Sequence, residues 1–149
     1  MKILLTGANG DIGKRLLPVL VGRGYQVVCC VRDASRFNPP DSLKKQIEVI
    51  EVDMLKKSTL SRIPKDINGA YYLIHSMSTS SDYETLEKRS AVHFREALND
   101  TQVEHLVYLS GIVNEDNLSK HLASRKAVEE ILGKGNYHLT TLRAGIIIG

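Results

Sequence analysis

The chain has 149 residues, 42% hydrophobic and 25% charged, with a formal net charge of +3. These values fit one ordinary globular domain, and no apolar run reaches the ~20 residues that a membrane-crossing helix needs. No Lys/Arg stripe accompanies the mild positive charge, and there are only six tyrosines and two phenylalanines, so a nucleic-acid partner is not indicated and a small anionic ligand is compatible.

The first element in chain order is a strand at 2–6, "KILLT". Its apolar run is too short for a signal peptide. It leads into "GANGDIG", with Gly7, Gly10 and Gly13 three apart, and then into a helix from Asp11 with an apolar stripe of Ile12, Leu16, Leu17, Leu20 and Val21. Gly7 permits a tight turn off the strand, Gly10 lets the backbone approach a phosphate, and Gly13 lets the helix pack closely. The free N–H groups of the helix start carry about half a positive charge, which suits a pyrophosphate. Gly7, Ala8, Asn9, Gly10, Asp11, Ile12 and Gly13 are therefore the expected cofactor-binding loop.

The second strand, 26–31, is "QVVCCV". Cys29 and Cys30 are adjacent and point to opposite faces, so no disulfide joins them, and a reducing cytoplasm is expected. Arg32 follows at once, then Asp33. An arginine at this point selects the 2′-phosphate of NADP, whereas a carboxylate accepts from the ribose 2′-OH of NAD. Arg32 makes NADP the expected cofactor, with Asp33 keeping NAD as the alternative.

"PPDSLKK" near Pro39 reads as a turn with a solvated charge cluster. Further strands are expected at 47–52, 70–74, 105–109 and 138–148, most of them apolar on both faces. A short helical piece is expected at 58–62. A helix at 82–99 follows Asp82, its expected N-cap, with a stripe of Leu86, Ser90, Phe94, Ala97 and Leu98. Another at 117–133 carries Leu118, Leu122, Val128, Ile131 and Leu132. Strand and helix alternate without a hairpin signal. The expected fold is α/β, a doubly wound parallel sheet with helices on both faces. Ligands of such sheets sit at the carboxyl ends of the strands. The apolar ending "LRAGIIIG" leads us to expect that 1–149 is the N-terminal domain of a longer protein. No H-E-x-x-H spacing and no Cys/His cluster indicates a metal.

Taken together, "TGANGDIG", "VRDASRF", "VDM", "YYLIHSM", "VYLSG" and "LRAGIIIG" resemble the atypical and extended short-chain dehydrogenase/reductases, especially NmrA-like NAD(P)-binding proteins. The resemblance covers essentially the whole chain and implies a Rossmann-type sheet. It also implies that Asp53 and Met54 lie beside the adenine, and that Ile74, His75 and Ser76 run along the ribose and phosphates.

The chain departs from that family at the catalytic helix. Where the family carries Tyr-x-x-x-Lys, "KHLASRKAVEE" has His121 in the tyrosine's place and Arg125 in the lysine's, with Ser110 of "YLSG" near the usual serine. His121, Arg125 and Ser110 are the candidate catalytic residues, since a histidine titrates close enough to neutrality for acid–base work. Two functions follow from the resemblance: an NADP-dependent oxidoreductase acting on a small molecule, or an NADP-sensing regulatory module. A homodimer through the helices at 82–99 and 117–133 is a further expectation.

Overall fold

The computed structural model describes residues 1–75, 82–112 and 120–145. Its strands are β1 (Lys2–Thr6), β2 (Gln26–Val31), β3 (Ile47–Glu51), β4 (Gly69–Tyr72), β5 (His105–Gly111) and β6 (His138–Ala144). Its helices are α1 (Asp11–Gly22), α2 (Asp41–Lys44), α3 (Tyr83–Asn99) and α4 (Lys120–Leu132), with 3₁₀ turns at Ala34–Arg36 and Lys57–Arg62. The strands form one sheet in the order β3-β2-β1-β4-β5-β6, and every pairing is parallel. The winding reverses at β1, which pairs with β2 on one side and β4 on the other.

Alternation along the strands divides the apolar residues between two cores. Ile3 and Leu5 of β1, Val27, Cys29 and Val31 of β2, and Leu17 and Leu20 of α1 pack on one face, with Leu43 of α2. Leu4, Val28, Cys30, Ala70, Tyr72, Leu106 and Tyr108 face the other way, onto Leu60, Ala91, Phe94, Leu98, Val128 and Leu132. Phe94 and Tyr72 form the aromatic centre of this second core, with ring centroids 5.0 Å apart. Both cysteines are free, and burial pushes both thiols up to about 12. Among the described residues no helix is long and apolar enough to cross a membrane.

Sequence and structure differ where neighbours decide the outcome. β3 and β6 are the sheet edges, so they expose residues on both faces, unlike β1 and β2, which are buried after their first residue. "PPDSLKK" forms the single helical turn α2 instead of an open turn, because Leu43 inserts into the core and Asp41 pairs with Lys44 at 2.6 Å. Asp82 holds the N-cap position of α3 but makes no side-chain cap hydrogen bond. β5 extends to Gly111 because β6 pairs with it as far as Ala144.

β4 stops at Tyr72, short of the expected 74, because Thr6 ends the neighbouring strand and takes over its bonding. The buried Thr6 Oγ1 donates to the Tyr71 carbonyl at 2.9 Å and accepts from the Leu73 N–H at 3.2 Å. One hydroxyl thus fixes β4 to the root of the glycine loop. Thr6→Val keeps the shape but strands both backbone groups, and a buried unmade hydrogen bond costs about 1–3 kcal/mol. Urea denaturation should show that loss for Thr6→Val and little loss for Thr6→Ser; equal stability of all three would remove Thr6 from this role.

Candidate functional site

The carboxyl ends of the strands open into a cleft of about 650 Å³. Its floor starts at the glycine turn. Gly7 has φ +67°, in the left-handed region, and a side chain there would meet the Leu73 carbonyl oxygen at 3.0 Å. The Gly10 N–H donates to the Gly7 carbonyl at 2.9 Å, closing the turn. Gly13 lies against this turn so closely that a methyl group would sit 2.2 Å from the Gly7 oxygen.

Gly10 is the N-cap of α1 and offers no side chain to the helix start. The first N–H groups of α1 therefore have no capping side chain, and Lys14 N–H makes the first turn's bond to the Gly10 carbonyl at 2.9 Å. A helix N-terminus in that condition, beside a loop free of side-chain bulk, accommodates a phosphate. The residues present fit a dinucleotide.

The cleft brings together Gly7, Asn9, Gly10, Arg32, Asp53, Met54, Ile74 and His75 of the expected cofactor residues. Ala8 is fully buried and Gly13 is packed under the turn, so these two support the loop from below. Asp11 is exposed and Ile12 half-buried on α1, and neither lines the cleft. Ser76 lies outside the described residues. Asp33 does not line the cleft either. Its Oδ1 caps the 3₁₀ turn, accepting from the Ser35 N–H at 3.0 Å and the Ser35 hydroxyl at 2.6 Å, and the Ser35 hydroxyl is the main reason its carboxyl titrates below the usual range.

At the inner end, α3 and α4 converge on the tips of β4 and β5. Glu87 of α3 lines the cleft and accepts a hydrogen bond from the buried Ser124 of α4. The Tyr108 hydroxyl donates to the Arg125 carbonyl at 3.3 Å. Gly111 leaves room for the Arg125 side chain, since a methyl there would meet Leu122 Cδ2 at 2.9 Å and Arg125 Nη1 at 3.1 Å. Ser110 is 1% exposed and lies beside Tyr108, whose phenol burial pushes up to about 12 while the Ser110 hydroxyl acts to lower it. His121 occupies the first turn of α4, but its side chain lies outside the described part of the protein.

Burial, reinforced by the Arg125 charge, holds His75 down to about 4, although Glu87 pulls the other way. His75 is thus a neutral ring at pH 7. Sequence reasoning missed Thr6, Glu87 and Ser124 as parts of this site. Glu87 did carry a signal: it stands four residues before the fully buried Ala91 and seven before Phe94, so it is a charge on the apolar side of its helix.

A doubly wound sheet, a glycine turn at the first strand and an uncapped helix start define a dinucleotide-binding Rossmann domain. The NAD(P)H-binding family matches residues 7–146, and this chain belongs to it. Photosystem II assembly factor Ycf39 of Trieres chinensis is 30% identical, over 96% of this chain and 45% of that protein. Among solved structures, Citrobacter sp. triphenylmethane reductase complexed with NADP(H) superposes with a TM-score of 0.79 at 20% identity, over 96% of this chain and 49% of that one. The UDP-glucuronic acid 4-epimerase of Bacillus cereus, in complex with NAD, gives 0.78 at 22% identity, over 97% and 57%. The structural likenesses concern the fold. The chain spans about half the length of these proteins.

The position of His75 has a measurable consequence. Its native value near 4 lies below its ordinary 6.5, so on acidification the unfolded chain takes up the proton first. Stability therefore falls as the pH drops from about 6.5 to 4, by at most about 1.4 kcal/mol per pH unit from this group. Urea midpoints taken across that window should decline less steeply for His75→Gln than for the wild type; parallel declines would show that His75 is not held neutral.

Proposed function

We propose that the chain is the NADP-binding domain of an oxidoreductase of the short-chain dehydrogenase/reductase type, NmrA-like in its motifs, acting in a reducing cytoplasm. The observation that carries the cofactor choice is the division of labour at the end of β2. Arg32 is exposed, lines the cleft and makes no ion pair among the described residues. Asp33, the residue that would favour NAD, is committed to the 3₁₀ turn. A guanidinium matches a 2′-phosphate in charge and in hydrogen-bond geometry.

In this reading the glycine turn and the start of α1 hold the pyrophosphate, Asp53 and Met54 flank the adenine, and Ile74, His75 and Ser76 follow the ribose. NADPH supplies the hydride when bound. Ser110, buried at the end of β5, holds the substrate oxygen, while Arg125 and His121 stand where the proton-handling pair of the resembled family stands. The substrate is a small molecule whose pocket is completed by residues beyond this chain.

One observation favours a second reading, a module that senses NADP without turnover. The Tyr-x-x-x-Lys pair is replaced by His121 and Arg125, so the usual tyrosine proton donor is missing. Both readings need the nucleotide.

Calorimetry with NADPH and NADH at equal ionic strength tests this. The wild type should bind NADPH at least tenfold tighter, because a charge-assisted hydrogen bond contributes about 1.5–3 kcal/mol. Arg32→Ala should abolish the preference and leave NADH affinity nearly unchanged. Equal affinity for both nucleotides in the wild type would reject the NADP assignment, and binding of neither would reject the cofactor reading. NADPH oxidation by the longer protein against a carbonyl panel separates the oxidoreductase from the sensor.

A further inference from the structure

The wall of the cleft formed by Val52, Asp53, Met54 and Leu55 follows directly on β3, an edge strand. β3 is paired on one side only, to β2, so the sheet holds just one flank of this wall. Within the wall the turn is tightly bonded. Leu55 N–H donates to Asp53 Oδ1 at 3.0 Å and Lys56 N–H to the Asp53 carbonyl at 2.8 Å. Thr59 Oγ1 accepts from Asp53 N–H at 3.0 Å and donates to the Lys56 carbonyl at 2.8 Å. These bonds give the turn its shape, but all lie within residues 53–59 and none fixes where the turn sits.

Besides the Val52 N–H, which donates to the Val31 carbonyl at 2.8 Å, the turn is tied to the rest of the protein from α3. Half-buried His93 reaches across 39 residues of sequence, and its Nδ1 meets the Met54 carbonyl oxygen at 2.7 Å. A carbonyl oxygen only accepts, so Nδ1 carries the hydrogen and His93 is the donor. One helical turn further on, Glu96 pairs with Lys57 at 2.7 Å. That ion pair is exposed on both sides, and such pairs contribute little. The His93 bond, by contrast, engages a residue only 4% exposed.

We propose that His93 is a positioning residue for the nucleotide: it clasps the Asp53–Leu55 turn to α3 and so sets the width of the adenosine end of the cleft. Arg32 and the turn line the same end, so a displaced turn changes what both offer the ligand. This inference rests on the NADP reading given above. His93 lies behind the wall and does not line the cleft; its effect passes through Met54.

The test uses His93→Leu, which keeps bulk but loses the donor, and His93→Asn, whose amide nitrogen takes the place of Nδ1. Hydrogen exchange without ligand should quicken at the Leu55 and Lys56 amides in His93→Leu and stay unchanged at residues 7–13. The same variant should bind NADPH and adenosine 2′,5′-bisphosphate at least about fivefold more weakly, the effect of one hydrogen bond's loss. His93→Asn should restore both properties. Unchanged exchange, exchange quickened equally throughout the chain, unaltered affinity, or failure of Asn to rescue would each overturn the clasp. Should the wild type bind neither nucleotide, the cofactor reading falls, and the exchange experiment alone decides whether His93 holds the turn.

Discussion

A methyl group on Gly13 would sit 2.2 Å from the carbonyl oxygen of Gly7 and 2.8 Å from Ala8 Cα, and its absence sets the distance between α1 and the carboxyl end of β1. Several features follow from that contact. Ala8 is fully buried beneath the turn. The start of α1 lies at the carboxyl end of β1, and the Gly7 turn lies close against the Leu73 carbonyl at the end of β4. Thr6 completes the junction by bonding to both Tyr71 and Leu73. Helix start, glycine turn and the two strands at the point where the winding reverses are locked as one unit, because Gly7 and Gly13 allow the close approach and the Thr6 hydroxyl bonds across it.

The inner end of the cleft is governed by a different constraint, the cost of keeping charge away from water. Arg125 and Glu87 bring opposite charges near His75, and the arginine's effect adds to burial while the glutamate's opposes it. The outcome is a neutral imidazole between two charged neighbours. A neutral ring can accept a hydrogen bond on one nitrogen and donate on the other, which a doubly protonated ring cannot do. The Ser124–Glu87 hydrogen bond ties α3 to α4 across this end, so the spacing of the two helices and the polarity of the site are set by the same pair.

How far the sequence foretold these features depends on the range of the interactions. Six strands and the glycine turn are local in origin, resting on apolar runs and glycine conformations, whereas the sequence left Asp33 as the alternative to Arg32 and only the structure shows its bonds to Ser35. The glycine spacing indicated where α1 starts and why Gly13 must lack a side chain. The apolar runs alone did not show which strands would be edges, and with that went the exposed character of β3 and β6, since each owes its exposure to having a partner on only one side. The early end of β4 rests on a hydroxyl 65 positions away in sequence, and the Glu87–Ser124 pair spans 37. Contacts of that kind leave at most an indirect trace, such as a carboxylate on the apolar side of a helix. His93 left less still: it reads as one polar residue in an amphipathic helix, and only the fold shows that a main-chain carbonyl lies opposite it.

The two cores also divide the work of shaping the cleft. The face packed by α1 determines the glycine turn, through Ile3, Leu5, Leu17 and Leu20. The opposite face, through Met54, Leu60, Ala91 and Phe94, determines the wall after β3 and the helix that backs it. Arg32 belongs to neither, being exposed at the tip of β2. A change at Arg32 therefore alters the charge lining the cleft without disturbing packed atoms, whereas a change in Gly13 or Met54 alters its shape. The charge and the shape of the cleft thus depend on physically separate parts of the chain. The first can vary at one exposed position while the second stays tied to the packing of both cores.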